Sequence, residues 1–177
     1  LAAAGRDAEA VAAAVAAADA ASTRTERAAH LHFAAWLRPS SSAVREAIAA
    51  LLAVGDLATA TTWCERLELT DPADAALSAR IHRFSGRVDL ASSDLRTGLD
   101  AATTNSSEWR DLLVEALWLG ASVSLGLPAA EVLAACTDTA QESAARVAAG
   151  VVAALETGST AALADLDVSV LEPPESF

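Results

Sequence analysis

The 177-residue sequence predicts an all-α fold in which antiparallel helix hairpins stack as a solenoid. Three observations carry that expectation. Alanine is the strongest helix former and lets helix backbones approach closely, and it accounts for 47 of the residues. Apolar residues recur at helical spacing, and no stretch combines β-branched and aromatic residues with period-two alternation. Glycines punctuate the helical runs at a recurring interval: Gly55 and Gly86 lie thirty-one residues apart, Gly126 and Gly158 thirty-two. A recurrence of that length, with each unit a helix pair, marks a helical repeat array.

Ten helices are expected, near 6–20, 23–37, 43–54, 57–69, 73–85, 88–101, 107–125, 128–136, 139–156 and 160–166. Gly5-Arg6-Asp7, Gly55-Asp56-Leu57 and Gly86-Arg87-Val88 share one pattern, with Ala10, Ala60 and Ala91 each five residues beyond the glycine. Each glycine stands where a left-handed residue stops one helix just before the next begins. The helix before Gly55 places Val44, Ala47, Ile48, Leu51 and Leu52 on one face, with Arg45 and Glu46 opposite. The helix before Gly86 spaces Leu77, Ile81 and Phe84 for burial. Asp71 caps it, Pro72 suits its first position, and Asp74 favours the positive end of its dipole. Asn105 with Glu108 offers a similar cap for the helix carrying Trp109, Leu112, Leu113 and Ala116. Arg38-Pro39-Ser40-Ser41-Ser42 reads as a surface loop. Residues 1–166 form the helical-repeat domain, and 167–177, DVSVLEPPESF, an extended acidic tail.

Net charge is −12, and all twelve basic residues are arginines scattered singly along the chain. A phosphate backbone demands clustered cations, so direct nucleic-acid binding is not expected. The exclusive use of arginine reflects GC-rich codons. Cys64 and Cys136 have no partner spacing, which argues against both a disulfide framework and a zinc knuckle. The longest charge-free run, Ala116 to Ala130, is shorter than the roughly 20 apolar residues of a membrane span. The alanine-rich start lacks the basic flank of a secretory signal. A cytoplasmic setting is expected, without membrane contact. The lack of an initiator methionine suggests a segment cut from a longer protein.

Gly55 to Pro72 carries a more specific signal. Its order, Gly-Asp-Leu-x-x-Ala and then Leu-x-Leu-x-Asp-Pro, resembles the second helix of a tetratricopeptide repeat. That resemblance implies a right-handed superhelix, with Ala60 at a tight helix crossing and Pro72 closing the repeat. Ala91 would take the same place in the next unit. The stretch STRTERAAHLHFAAWL, Ser22 to Leu37, is similar to a helix just after the ATPase module of large ATP-binding LuxR-class transcriptional regulators. Those actinobacterial proteins share the alanine-rich, arginine-only style. The resemblance implies an interaction or signal-sensing segment between an ATPase module and a helix-turn-helix. Neither module lies within the chain, which has no GxxxxGK(S/T).

Candidate sites are few. His30 and His32 are two apart, whereas two ligands on one helix face need a spacing of three or four, and His82 is distant. No metal or cofactor is therefore expected. Serine, histidine and aspartate are all present, yet no GxSxG elbow or glycine-rich anion cradle appears, and catalysis is not expected. Trp109 and Trp118 together make their helix apolar nearly all round, as for a helix sandwiched between neighbours. Trp36 and Trp63 are candidate groove contacts, as is the one local basic cluster, Arg80, His82, Arg83 and Arg87. Gly55, Ala60, Gly86 and Ala91 are the expected repeat-packing positions. The expected partner is a protein or a small-molecule effector. The alternative is a compact helical domain with a small-molecule pocket inside the bundle.

Overall fold

The computed structural model describes residues 2–120, 132, 134 and 139–157. They are helical throughout, with no strand among the described residues. The helices are α1 (Ala2–Asp19), α2 (Arg24–Leu37), α3 (Ser41–Ala53), α4 (Leu57–Cys64), α5 (Pro72–Phe84), α6 (Val88–Ala101), α7 (Ser107–Trp118) and α8 (Thr139–Thr157). They fall into two compact units that divide after Leu67.

In the first unit α2 packs on α1 and α3, and α3 on α4. Thr23 opens α2 with a reciprocal capping box: its hydroxyl accepts from Glu26 N–H while Glu26 reaches back to the Thr23 amide. Hydrogen bonds from Ser22 hold Glu26 below the usual carboxylate range. Ser40 caps α3 and Asp56 caps α4. Val44, Ala47, Ile48, Leu51 and Leu52 are all buried, as the periodicity of α3 requires.

Gly55 ends α3 at φ +76°, and Gly86 ends α5 at φ +70°. Both ends carry the same double hydrogen bond. Gly55 N–H donates to Leu52 O and Asp56 N–H to Leu51 O, while Gly86 N–H donates to Arg83 O and Arg87 N–H to His82 O. Two otherwise orphaned carbonyls are satisfied at each end. Five residues beyond each glycine, Ala60 and Ala91 are both fully buried. The two junctions are alike in backbone and in burial.

In the second unit α5 packs on both α6 and α7, and α7 also meets α6 and α8. Asp71 caps α5 through Ala73 N–H, and Pro72 takes its first turn. Asp74 does more than favour the helix dipole: it is buried and accepts the Glu68 amide at 2.8 Å, tying down the approach to α5. Ala75, Ala76, Ala79, Ala91, Leu95, Leu112 and Ala116 form one cluster at the meeting of α5, α6 and α7. Gly98 permits that approach, because an added Cβ would lie 2.7 Å from Ala75 Cβ and 2.8 Å from Leu112 Cδ2. Leu113, Val114 and Leu117 form a second cluster with Val132, Ala145 and Ala148. Helix α7 is buried on two sides, as its all-round apolar character predicts.

Several expectations need correction. Gly5 lies inside α1 rather than at a helix end. Helix α4 stops at Cys64, not near 69, because the chain turns there with Arg66 N–H on Trp63 O and Leu67 N–H on Cys64 O. Helix α7 stops at Trp118, not near 125, with Gly120 left-handed at φ +66°. Its cap is Ser106 rather than Asn105, which instead takes the left-handed turn position at φ +68°. Of the predicted α5 stripe only Ile81 is fully buried; Leu77 and Phe84 are half-buried, because the alanine face is the one small enough for two close neighbours. Helix 160–166, the tail 167–177 and the glycines Gly126 and Gly158 lie outside the described residues, as does 128–136 apart from Val132 and Ala134, both helical.

Candidate functional site

The polar chemistry of the second unit is gathered around α5. Residues three or four apart share a helix face, and α5 uses this twice. Ser78 and His82 turn to one carboxylate of α6: Ser78 Oγ donates to Asp94 Oδ2 at 2.6 Å, and His82 Nδ1 lies 2.9 Å from the same oxygen. Arg80 and Arg83 turn to one carboxylate of α7: Arg80 Nε–H donates to Glu115 Oε1 at 2.6 Å and Arg83 Nε–H to Oε2 at 3.2 Å. The Arg83 guanidinium also packs 4.4 Å from the Phe84 ring centre and 5.4 Å from that of Trp118. Three members of the predicted basic cluster thus face internal carboxylates. Arg87 is exposed at the start of α6 and makes no side-chain cap there.

Asp94 and Glu115 escaped the sequence reading. Both carry a signal in hindsight. Asp94 sits at helical spacing with Ala91, Leu95 and Gly98, all buried, and Glu115 interrupts the apolar run from Leu112 to Leu117. A carboxylate in a buried stripe needs a cationic or hydrogen-bonding partner, because an unpaired buried charge is very costly. Ser78 and His82 supply those partners for Asp94, and Arg80 and Arg83 for Glu115.

Ser78, His82 and Asp94 are the residue types of a hydrolase triad, but the order is wrong. Nucleophile activation requires the imidazole between hydroxyl and carboxylate. Here the carboxylate is central, Ser78 bonds Asp94 rather than His82, and the serine is only 2% exposed. This trio is a clamp between α5 and α6.

In the first unit Trp63 is buried, and its indole N–H donates to His32 Nδ1 at 3.0 Å. The two rings meet edge to face, and the Arg66 guanidinium lies 4.7 Å from the Trp63 ring centre. Trp36, by contrast, is 63% exposed and stacks on Phe33, itself exposed. Among the described residues no group of His, Cys, Asp or Glu is arranged to hold a metal ion, and no helix is long and apolar enough to cross a membrane. A cavity of about 300 Å³ runs along the polar face of α6, lined by Asp89, Ser92, Ser93, Arg96, Thr97 and Asp100.

Charge is divided unevenly. The first unit holds six arginines against seven acidic residues, and the second six against seventeen, so nearly all of the net −12 belongs to the second. No protein-family model, curated protein or solved structure matches the chain.

Proposed function

We propose that the chain is a tetratricopeptide-like helical-repeat segment serving interaction or signal sensing within a multidomain bacterial transcriptional regulator. The observation that carries the repeat reading is the pair of equivalent junctions at Gly55 and Gly86. Each has a left-handed glycine, the same two capping hydrogen bonds and a fully buried alanine five residues on. Arrays of helix pairs create extended surfaces for partners without dictating a ligand. The pairing of Arg80, His82 and Arg83 with Glu115 and Asp94 supports a scaffold role for this cluster, since these side chains hold α5 to its neighbours. The regulator context rests on the Ser22–Leu37 resemblance.

The alternative, a compact small-molecule-binding bundle, calls for an enclosed apolar cavity. The cavity along α6, lined by polar side chains of a single helix, is not of that kind. The test of the regulator reading is the coding sequence on either side of the chain. A P-loop ATPase module is expected upstream and a helix-turn-helix downstream. A parent protein joining these helices to an export signal or a membrane anchor would overturn the proposal.

A further inference from the structure

We propose that His32 and Trp63 form a proton-operated latch between α2 and α4, closed while the His32 ring is neutral and opened when it is protonated. The inference goes beyond the repeat reading and does not depend on it. An indole nitrogen is a donor only, so the ring nitrogen that faces it must be an acceptor. The Trp63 indole N–H meets His32 Nδ1 at 3.0 Å, which places the ring hydrogen on Nε2 in the neutral form. Protonation puts hydrogen on both nitrogens and turns an accepting contact into donor against donor. Trp63 is 4% exposed, so its N–H has little water to replace the lost partner. Histidine is the side chain whose ordinary titration spans the range from about pH 5 to pH 8.

Asp56, the cap of α4, interacts electrostatically with His32. Its carboxyl is held below the usual range, first by hydrogen bonds from Thr59 and in smaller part by the His32 charge, so it stays anionic at neutral pH. Asp56 and Trp63 lie at opposite ends of α4, and Asp56 is exposed, so water and salt screen its attraction for a charged ring. Arg66 packs over the Trp63 face and repels an imidazolium beside it, and Glu65, next to it just past α4, is exposed. From the helices packed on α2, α1 brings Asp7, Glu9 and Asp19 and α3 brings Glu46, all exposed, together with half-buried Arg45. Helix α2 itself carries exposed Arg24, Glu26 and Arg27 and half-buried His30, with Arg38 exposed just past its end. Exposed charges, Asp56 among them, are screened by water and salt, which leaves the indole hydrogen bond as the contact that distinguishes the two ring states.

The experiment is a pH titration of the whole chain by ¹H–¹⁵N correlation spectroscopy, following the four tryptophan indole resonances, with Trp63→Phe assigning the one of interest. The Trp63 indole resonance is expected to move between about pH 8 and pH 5. Compared at each pH with His32→Gln, whose amide oxygen accepts at any pH, its protection from exchange is expected to fall about tenfold, the factor for one lost hydrogen bond. A Trp63 resonance that does not move over this range overturns the latch. So does the same transition in His32→Gln. Should that variant fail to fold, long-range ¹H–¹⁵N correlation of the parent imidazole decides: hydrogen on Nε2 at high pH is expected, and hydrogen on Nδ1 overturns the proposal.

Discussion

Glu115→Ala is the substitution that most stresses the packing of the second unit. The Glu115 side chain is 2% exposed and accepts from two guanidiniums, so its removal takes the shared acceptor from both at once. Removing one partner of a buried ion pair costs about 3–5 kcal/mol. The figure is discounted here because Arg80 is 31% exposed and can turn to water, whereas Arg83 is 14% exposed and packed against Phe84 and Trp118. A net loss of about 2–4 kcal/mol follows. For a chain of this size that lowers the melting temperature by roughly 4–16 °C. Glu115→Gln keeps the shape and one acceptor oxygen and should lose about half as much. Arg80→Ala should lose about 1 kcal/mol, because its partner keeps Arg83. The assay is thermal unfolding followed by far-ultraviolet circular dichroism, with the near-ultraviolet signal reporting the packing of the tryptophans. The expected order of melting temperatures puts Glu115→Ala lowest, Glu115→Gln between, and the parent highest. A Glu115→Ala melt within about 1–2 °C of the parent would refute the reasoning, since Glu115 would then not anchor the two arginines.

Other expectations are simpler. Gly86→Ala should destabilise by about 1–2 kcal/mol through the left-handed backbone alone, because nothing lies within 4 Å of the added Cβ; urea unfolding of the variant measures it, and an unchanged midpoint would contradict it. Ala60→Trp and Ala91→Trp should each cost about 1–3 kcal/mol, since both alanines are fully buried; melts matching the parent would remove the tight crossings. The chain should not shift random duplex DNA in a low-salt gel, as the acidic second unit repels phosphates; a salt-sensitive complex would overturn that.

The parts of the fold legible in sequence are those set by local chemistry. The buried face of α3 follows from 3.6-residue spacing, and the ends of α3 and α5 from glycines placed to turn left-handed. The cap at Asp71 follows from Asp-Pro at a helix start. Reading failed where tertiary packing chose between locally acceptable options. On α5 two apolar faces compete, and the alanine face wins because α6 and α7 both press against the helix. On α7 the helix ends at Trp118 although Ala121, Val123 and Leu125 continue the apolar character in sequence. The site was half legible: Arg80, His82 and Arg83 stood out as a cluster, but their partners Asp94 and Glu115 lie 12 and 32 residues away from His82 and Arg83, beyond any local pattern.

The central claim is that the Gly55 and Gly86 junctions are equivalent units of one repeat. Exchanging GDLATA at 55–60 with GRVDLA at 86–91 tests it most directly. Both junctions keep a left-handed glycine and a buried alanine after the exchange, and the aspartate cap passes from the start of α4 to the start of α6. Among the positions between, Leu57 and Thr59 are half-buried and Ala58 is exposed, and Val88, Asp89 and Leu90 are exposed, so the exchanged side chains meet no buried site. Equivalence predicts a cooperative urea unfolding transition within about 1–2 kcal/mol of the parent, the range of ordinary surface and capping changes. A chain that fails to fold, or loses more than about 4 kcal/mol, would contradict it.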